Sequence, residues 1–147
     1  MPHRQSWLIK NQIVYVIFTG DMSSADVGDA FHDSARHVIE STDAPIHFFH
    51  NWEEVTKFPT SLSEVFKASR NTKAPIKKVG WVVAFGKNTK LFKFMGNIFF
   101  QLFSVRFRLF KTEEEAIDFL CQQDTRLDKT SLLEAKTKLD SNKAVNF

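Results

Sequence analysis

Apolar residues recur along this chain with two periods, and the way those periods alternate predicts its architecture. Residues 12–20 (QIVYVIFTG) are a β-branched and aromatic run, the pattern of a mostly buried strand. Residues 6–9 pair with it through a turn at Lys10–Asn11, which makes a short hairpin. The period then lengthens. Ser23 with Asp26 forms a capping box, and Val27, Ala30, Phe31, Ala35 and Val38 fall on one face of a helix ending near Glu40. Pro45 opens a second strand, 46–52 (IHFFHNW), and Ser61 with Glu64 caps a helix carrying Leu62, Val65 and Phe66. Residues 77–86 (KKVGWVVAFG) give a third strand and 105–110 a fourth. Between these two lies a helix over 87–104, which Gly96 weakens. Thr112 with Glu115 caps the next helix, and Ser131 with Glu134 caps a short one in which Leu132, Ala135 and Leu139 align. Strands alternating with helices imply crossover connections and an α/β fold: one mixed, mostly parallel sheet with helices on it. The expected organisation is a domain over 1–123 and a polar C-terminal tail over 124–147.

The quoted segments carry a resemblance. IVYVIFTGD as the central early strand, PIHFFHNWEEV as the next, VGWVVAFG as the third and VRFRLFKTEEEAIDFL as a last strand running into a helix together resemble the STAS / SpoIIAA-like group. The resemblance covers roughly residues 6–122 and implies the fold of anti-sigma-factor antagonists. In that branch a phosphorylatable Ser or Thr opens the second crossover helix within an Asp-Ser-Ser-Gly-Leu motif. Setting Leu62 on the motif's Leu places Thr60 on the phosphoacceptor, Ser61 on the Gly and Phe58 on the Asp. The acid and the glycine are both missing, so the chain is similar to a divergent branch without the motif. Thr60 and Ser61 stay as candidate phosphoacceptors beside their plainer reading as capping hydroxyls.

Charge alters the picture more than bulk composition does. The 147 residues carry a net charge of only +3. That total hides a net −5 over 1–64, +11 over 65–112 and −3 over 113–147. The central segment holds eleven Lys and Arg, no Asp or Glu, and nine of the sixteen Phe. A stretch both cationic and aromatic suits anionic and apolar surfaces together. In the helix over 87–104, Leu91, Phe92, Met95, Ile98, Phe99, Leu102 and Phe103 cluster on one side. Phe94 widens that arc and Phe100 extends it almost to the far side, about twice the stripe a surface helix needs. A sheet covers one face only. The rest needs the C-terminal tail, a second subunit or a lipid. At ~25 Å by helix rise, the segment is too short to span a bilayer.

Lys90 and Lys93 rim this helix, and Arg106 and Arg108 alternate with apolar neighbours along the following strand. They read either as a solvated edge that deters strand pairing or as a contact for anionic lipid or an acidic partner. No nucleic-acid-binding pattern is present. His47 and His50 point to opposite faces of a regular strand and cannot chelate one metal. The single cysteine, Cys121, excludes an intrachain disulfide and reads as a small core residue. No catalytic constellation, metal site or cofactor motif emerges. The expectation is a non-catalytic regulatory or protein-interaction domain, dimeric through the helix over 87–104, with Phe94, Phe100, Lys90, Lys93, Arg106 and Arg108 as its surface. The alternative is binding of a lipid or other apolar anion, or peripheral membrane attachment, through the same helix. With no signal-peptide core at the start and no apolar run long enough to span, the expected location is cytoplasmic, or peripheral to a membrane in the alternative.

Overall fold

The computed structural model describes residues 2–70, 72, 75–87, 90, 93, 94, 96 and 104–142. Five strands make one sheet: β1 (His3–Ile9), β2 (Ile13–Asp21), β3 (Ile46–Lys57), β4 (Val79–Phe85) and β5 (Arg106–Phe110). Four helices have described bounds: α1 (Ser24–Glu40), α2 (Leu62–Ser69), α3 (Glu113–Gln123) and α4 (Lys129–Asn142). The strands lie side by side in chain order. β1 and β2 are antiparallel, and every later pair is parallel. The fold is therefore α/β with a mixed, mostly parallel sheet, as the alternating periods predict.

Chain-order strands have a consequence for layering. Crossovers between parallel strands are right-handed, so three successive crossovers in one direction fall on the same face of the sheet. Val27, Ala30 and Phe31 of α1, Val65 of α2 and the half-buried Phe94 accordingly share one cluster with Val14, Val16, Phe48, Trp52 and Val82. The second face needs a separate cover. Ala116, Ile117 and Leu120 of α3, with Leu127 and Leu132, pack there on Ile13, Tyr15, Phe49, Val83 and Phe85. Both clusters draw alternate residues from the same strands, which is why β2 reads as an unbroken apolar run.

The helix ends follow local chemistry. Ser23 accepts from the Asp26 backbone N–H while the Asp26 carboxylate accepts from that of Ser23, a complete capping box. Ser61 and Thr112 accept from the backbone N–H groups of Glu64 and Glu115. At α4 the expected cap shifts. The helix starts at Lys129, and Asp128 accepts from both the backbone N–H and the hydroxyl of Ser131, each at 2.9 Å. Ser131 is thus a residue of the first turn. Asn11, at φ 62, supplies the left-handed residue of the hairpin turn.

Several boundaries differ from expectation. β1 begins at His3, not Ser6, because residues 3–5 pair with Phe18, Ile17 and Val16 of β2, and Ile76–Lys78 forms a 3₁₀ turn ahead of β4. β3 runs to Lys57, five residues beyond the predicted end at Trp52. The extension pairs with β2 through Glu54–Thr19, Val55–Gly20 and Lys57–Asp21 across a bulge where Gly20 takes φ 67. Ser104 is not helical; it sits at φ 51 before β5. Lys90, Lys93, Phe94 and Gly96 are helical, and Phe92, Phe99, Phe100 and Phe103 lie outside the described residues. α4 packs on the second face, through Leu132, whereas Phe94 packs on the first. The tail helix is therefore not what covers Phe94.

Candidate interaction groove at the carboxyl ends of the strands

β4 pairs with β3 as far as Phe85 opposite Asn51, so the end of β3 projects past its neighbour. The chain leaves β4 at Gly86 and returns beside this overhang through the helical residues Lys90 and Phe94. The result is an open groove of about 300 Å³ lined by Thr56, Lys57, Phe58, Pro59, Thr60, Lys90 and Phe94. It lies beyond the carboxyl ends of β3 and β4. Its far wall runs into the start of α2, whose first turn carries the positive end of the helix dipole.

The groove joins residues that are distant in sequence. Phe58 is 7% exposed and belongs to the first core cluster, and Phe94 packs partly on the same cluster. Lys57, Thr60 and Lys90 are exposed. Lys93, one turn beyond Lys90, is exposed too. The Thr56 hydroxyl donates to Asp21 at 2.6 Å, which holds that acid at the end of β2. Ser61 is committed to capping, with its hydroxyl 3.1 Å from that of Ser63.

The two arginines lie elsewhere. Arg106 and Arg108 do project together from β5, but toward the α3 side. Arg106 stacks over Trp81 and Arg108 over Phe119, each 5.0 Å from the ring centroid. The structure thus brings Lys90, Phe94 and Thr60 to one place and sets Arg106 and Arg108 across the sheet from them. Phe100 lies outside the described residues.

Sequence reasoning missed a buried polar cluster on the second face. His47 is 2% exposed and its Nδ1 accepts from the Trp81 backbone N–H at 2.9 Å. That bond leaves the proton on Nε2, which donates to Asp124 at 2.9 Å. Arg126 donates to both Asp124 carboxylate oxygens, at 3.1 Å from Nε and 2.7 Å from Nη2, and also to the Pro45 carbonyl. Burial lowers the His47 pKa against the opposing pull of Asp124. The Arg126 guanidinium, helped by His47, holds Asp124 well below the usual carboxylate range. A Cβ on Gly80 would collide with the His47 ring, so glycine is what lets the imidazole lie against β4. This cluster ties the α3–α4 connection to the beginning of β3. The only sequence signal was an Asp placed at the end of an apolar helix.

Other buried titratable groups are also absorbed by the scaffold. Lys136 bridges Glu113 at 3.1 Å and Asp140 at 2.7 Å, and lies 4.8 Å from the Tyr15 ring centroid. Burial depresses its pKa, but Asp140, Tyr15 and Glu113 outweigh that effect and raise it. His50 faces α1 in the first cluster's layer, where burial drives its pKa down to about 3. Cys121 is half-buried against the second cluster. Among the described residues no three His, Cys, Asp or Glu side chains gather as metal ligands, and no helix is long and apolar enough to cross a membrane.

No protein-family model matches the chain, and no curated protein matches it. Among solved structures it is similar to an uncharacterised protein of the DUF3478 family from Shewanella loihica, described as having a SpoIIAA-like fold. The TM-score is 0.51 at 14% identity, over 74% of this chain and 84% of the other. With a five-stranded mixed sheet whose crossovers fill one face and whose last helices fill the other, the chain has a SpoIIAA-like fold.

Proposed function

We propose that this chain is a non-catalytic regulatory domain that works by protein interaction, through the groove between the end of β3 and the Phe-rich segment. The observation that carries this reading is the convergence of Thr60, Lys90 and Phe94 on one open groove. A residue of the α2 entry, a cation and an aromatic ring lie together there, with apolar floor and charged rim. Docking sites have that composition. The non-catalytic part rests on the fate of the buried titratable groups. His47, Asp124 and Lys136 are spent on structural pairs, and His50 is neutral within the first packing layer. Self-association through the segment over 87–104 belongs to the same reading, because the apolar arc predicted from its sequence is wider than the stripe one sheet face covers.

Sedimentation velocity across a concentration series tests it. The full-length chain is expected to show a concentration-dependent dimer that Phe94→Ser weakens, with the melting temperature falling only modestly because Phe94 is half-buried. A monomer at all concentrations contradicts self-association. A dimer that Phe94→Ser leaves intact contradicts this surface.

A further inference from the structure

Resting on the reading of the groove as an interaction site, the geometry points to its occupant: an acidic segment of a partner protein that carries one large apolar side chain. The rim is cationic on both walls. Lys57 stands on the β3 side and Lys90 on the other, both exposed, with Lys93 one turn further along. Of the nearby acids, Asp21 and Glu64 accept hydrogen bonds from side chains of this chain, and Glu53 and Glu54 of β3 are exposed. Asp21 accepts from Thr56 at 2.6 Å and Glu64 from Ser24 at 3.5 Å. From residue 65 to residue 112 there is no acid, so Lys90 and Lys93 have none within their own segment. The start of α2 beside Thr60 adds the positive end of a helix dipole to the same side.

The floor asks for something different. Phe58 and Phe94 offer ring surface, and Pro59 adds an apolar ring with no N–H donor. At about 300 Å³ the space is at the small end of ligand sites. It accommodates one anchoring side chain with its flanking backbone. Shape decides between an acidic peptide and an anionic membrane. A bilayer plane cannot follow a recess, and Phe94 packs inward on the core cluster instead of projecting as an inserting ring does. A peptide places its anchor in the recess and its carboxylates on the lysine rim, the arrangement of an apolar centre within a charged border.

The test is fluorescence anisotropy of the full-length chain with a labelled oligoglutamate peptide carrying one central phenylalanine. Saturable binding that weakens as salt rises is expected. The double variant Lys57→Glu/Lys90→Glu should weaken binding about tenfold or more, whereas Lys138→Glu, an exposed change on α4, should leave it within about twofold. Replacing the peptide's phenylalanine with serine should also cost about tenfold. Circular dichroism confirms that each variant is folded. Absence of peptide binding overturns the proposal, as does binding indifferent to the double reversal or to loss of the phenylalanine. Binding of phosphatidylglycerol vesicles in place of the peptide overturns it in favour of a lipid surface. The anisotropy is read at a protein concentration where sedimentation shows monomer, so that a dimer does not occupy the groove and failure here is separable from failure of the self-association test.

Discussion

His47 is held at both ring nitrogens, by the Trp81 backbone on one side and Asp124 on the other. Deleting the acid strands a buried N–H and removes the main partner of Arg126. Asp124→Ala is therefore expected to cost about 3 kcal/mol in urea unfolding. Gly80→Ala should cost a similar amount by displacing the ring, and combining the two should fall short of additive because both dismantle one network. Acid should expose the same site. Burial depresses His47 and His50 below the ordinary 6.5, so the unfolded chain binds more protons than the folded one below that pH. Their contribution is complete above pH 6.5 and is lost as pH falls toward the depressed folded values. Asp124 adds a second loss below its ordinary 3.8. Unfolding free energy measured at pH 7.5 should thus exceed that at pH 5, and His50→Phe should flatten the slope. A slope of opposite sign would contradict the burial of these neutral imidazoles. At the groove, Thr60→Glu sets an acid among the lysines, and should weaken binding of the acidic peptide without lowering the melting temperature.

At the scale of elements, Gly96 offers a clean case. A Cβ there would meet the Phe107 ring at 3.5 Å, an ordinary contact. Gly96→Ala should therefore stabilise by about 0.5–1 kcal/mol through helix propensity and a less flexible unfolded chain. Gly28→Ala should do the reverse, since its Cβ would sit 2.8 Å from the Ala68 carbonyl oxygen where α1 meets α2. Thermal melts of the two variants check both signs. Elements with a local signature were legible in sequence for this kind of reason. Ser23, Ser61 and Thr112 cap where hydroxyls precede an acid by three residues, since the hydrogen bonds involved span one turn. The extension of β3 was only partly legible: the apolar pattern ended it at Trp52, and the resemblance carried it only to Val55. Glu53, Glu54, Thr56 and Lys57 look like a loop because that part of the strand projects past β4 and most of it is solvated. The α4 cap was misplaced because Asp128 and Ser131 offer competing starts one turn apart, and the side-chain bond from Asp128 to Ser131 selects the earlier one.

For the molecule as a whole, strand order set what the sequence pattern could not. Apolar periods named the helices but not the face each would cover. Once four parallel strands run in chain order, the crossovers crowd one face, and α3 and α4 must close the other. Removing residues 124–147 would uncover Leu8 and Tyr15 and take away both Leu132 and the His47 partner. That truncation is expected to bind a hydrophobic dye and lose cooperative unfolding; a sharp transition near that of the full chain would contradict the role given to α4. The groove was legible only in part. Phe94, Lys90 and Thr60 each drew notice through charge, ring content or capping, yet their meeting depends on the β3 overhang, and Arg106 and Arg108 were grouped with them because sequence shows alternation but not which face is which. Hydrogen exchange of the full-length chain at low and high concentration tests the central claim most directly. Added protection at high concentration should fall on the end of β3, the Phe58–Thr60 connection and the segment beyond Lys87. Protection confined to α3 and α4, or no change anywhere, would contradict it.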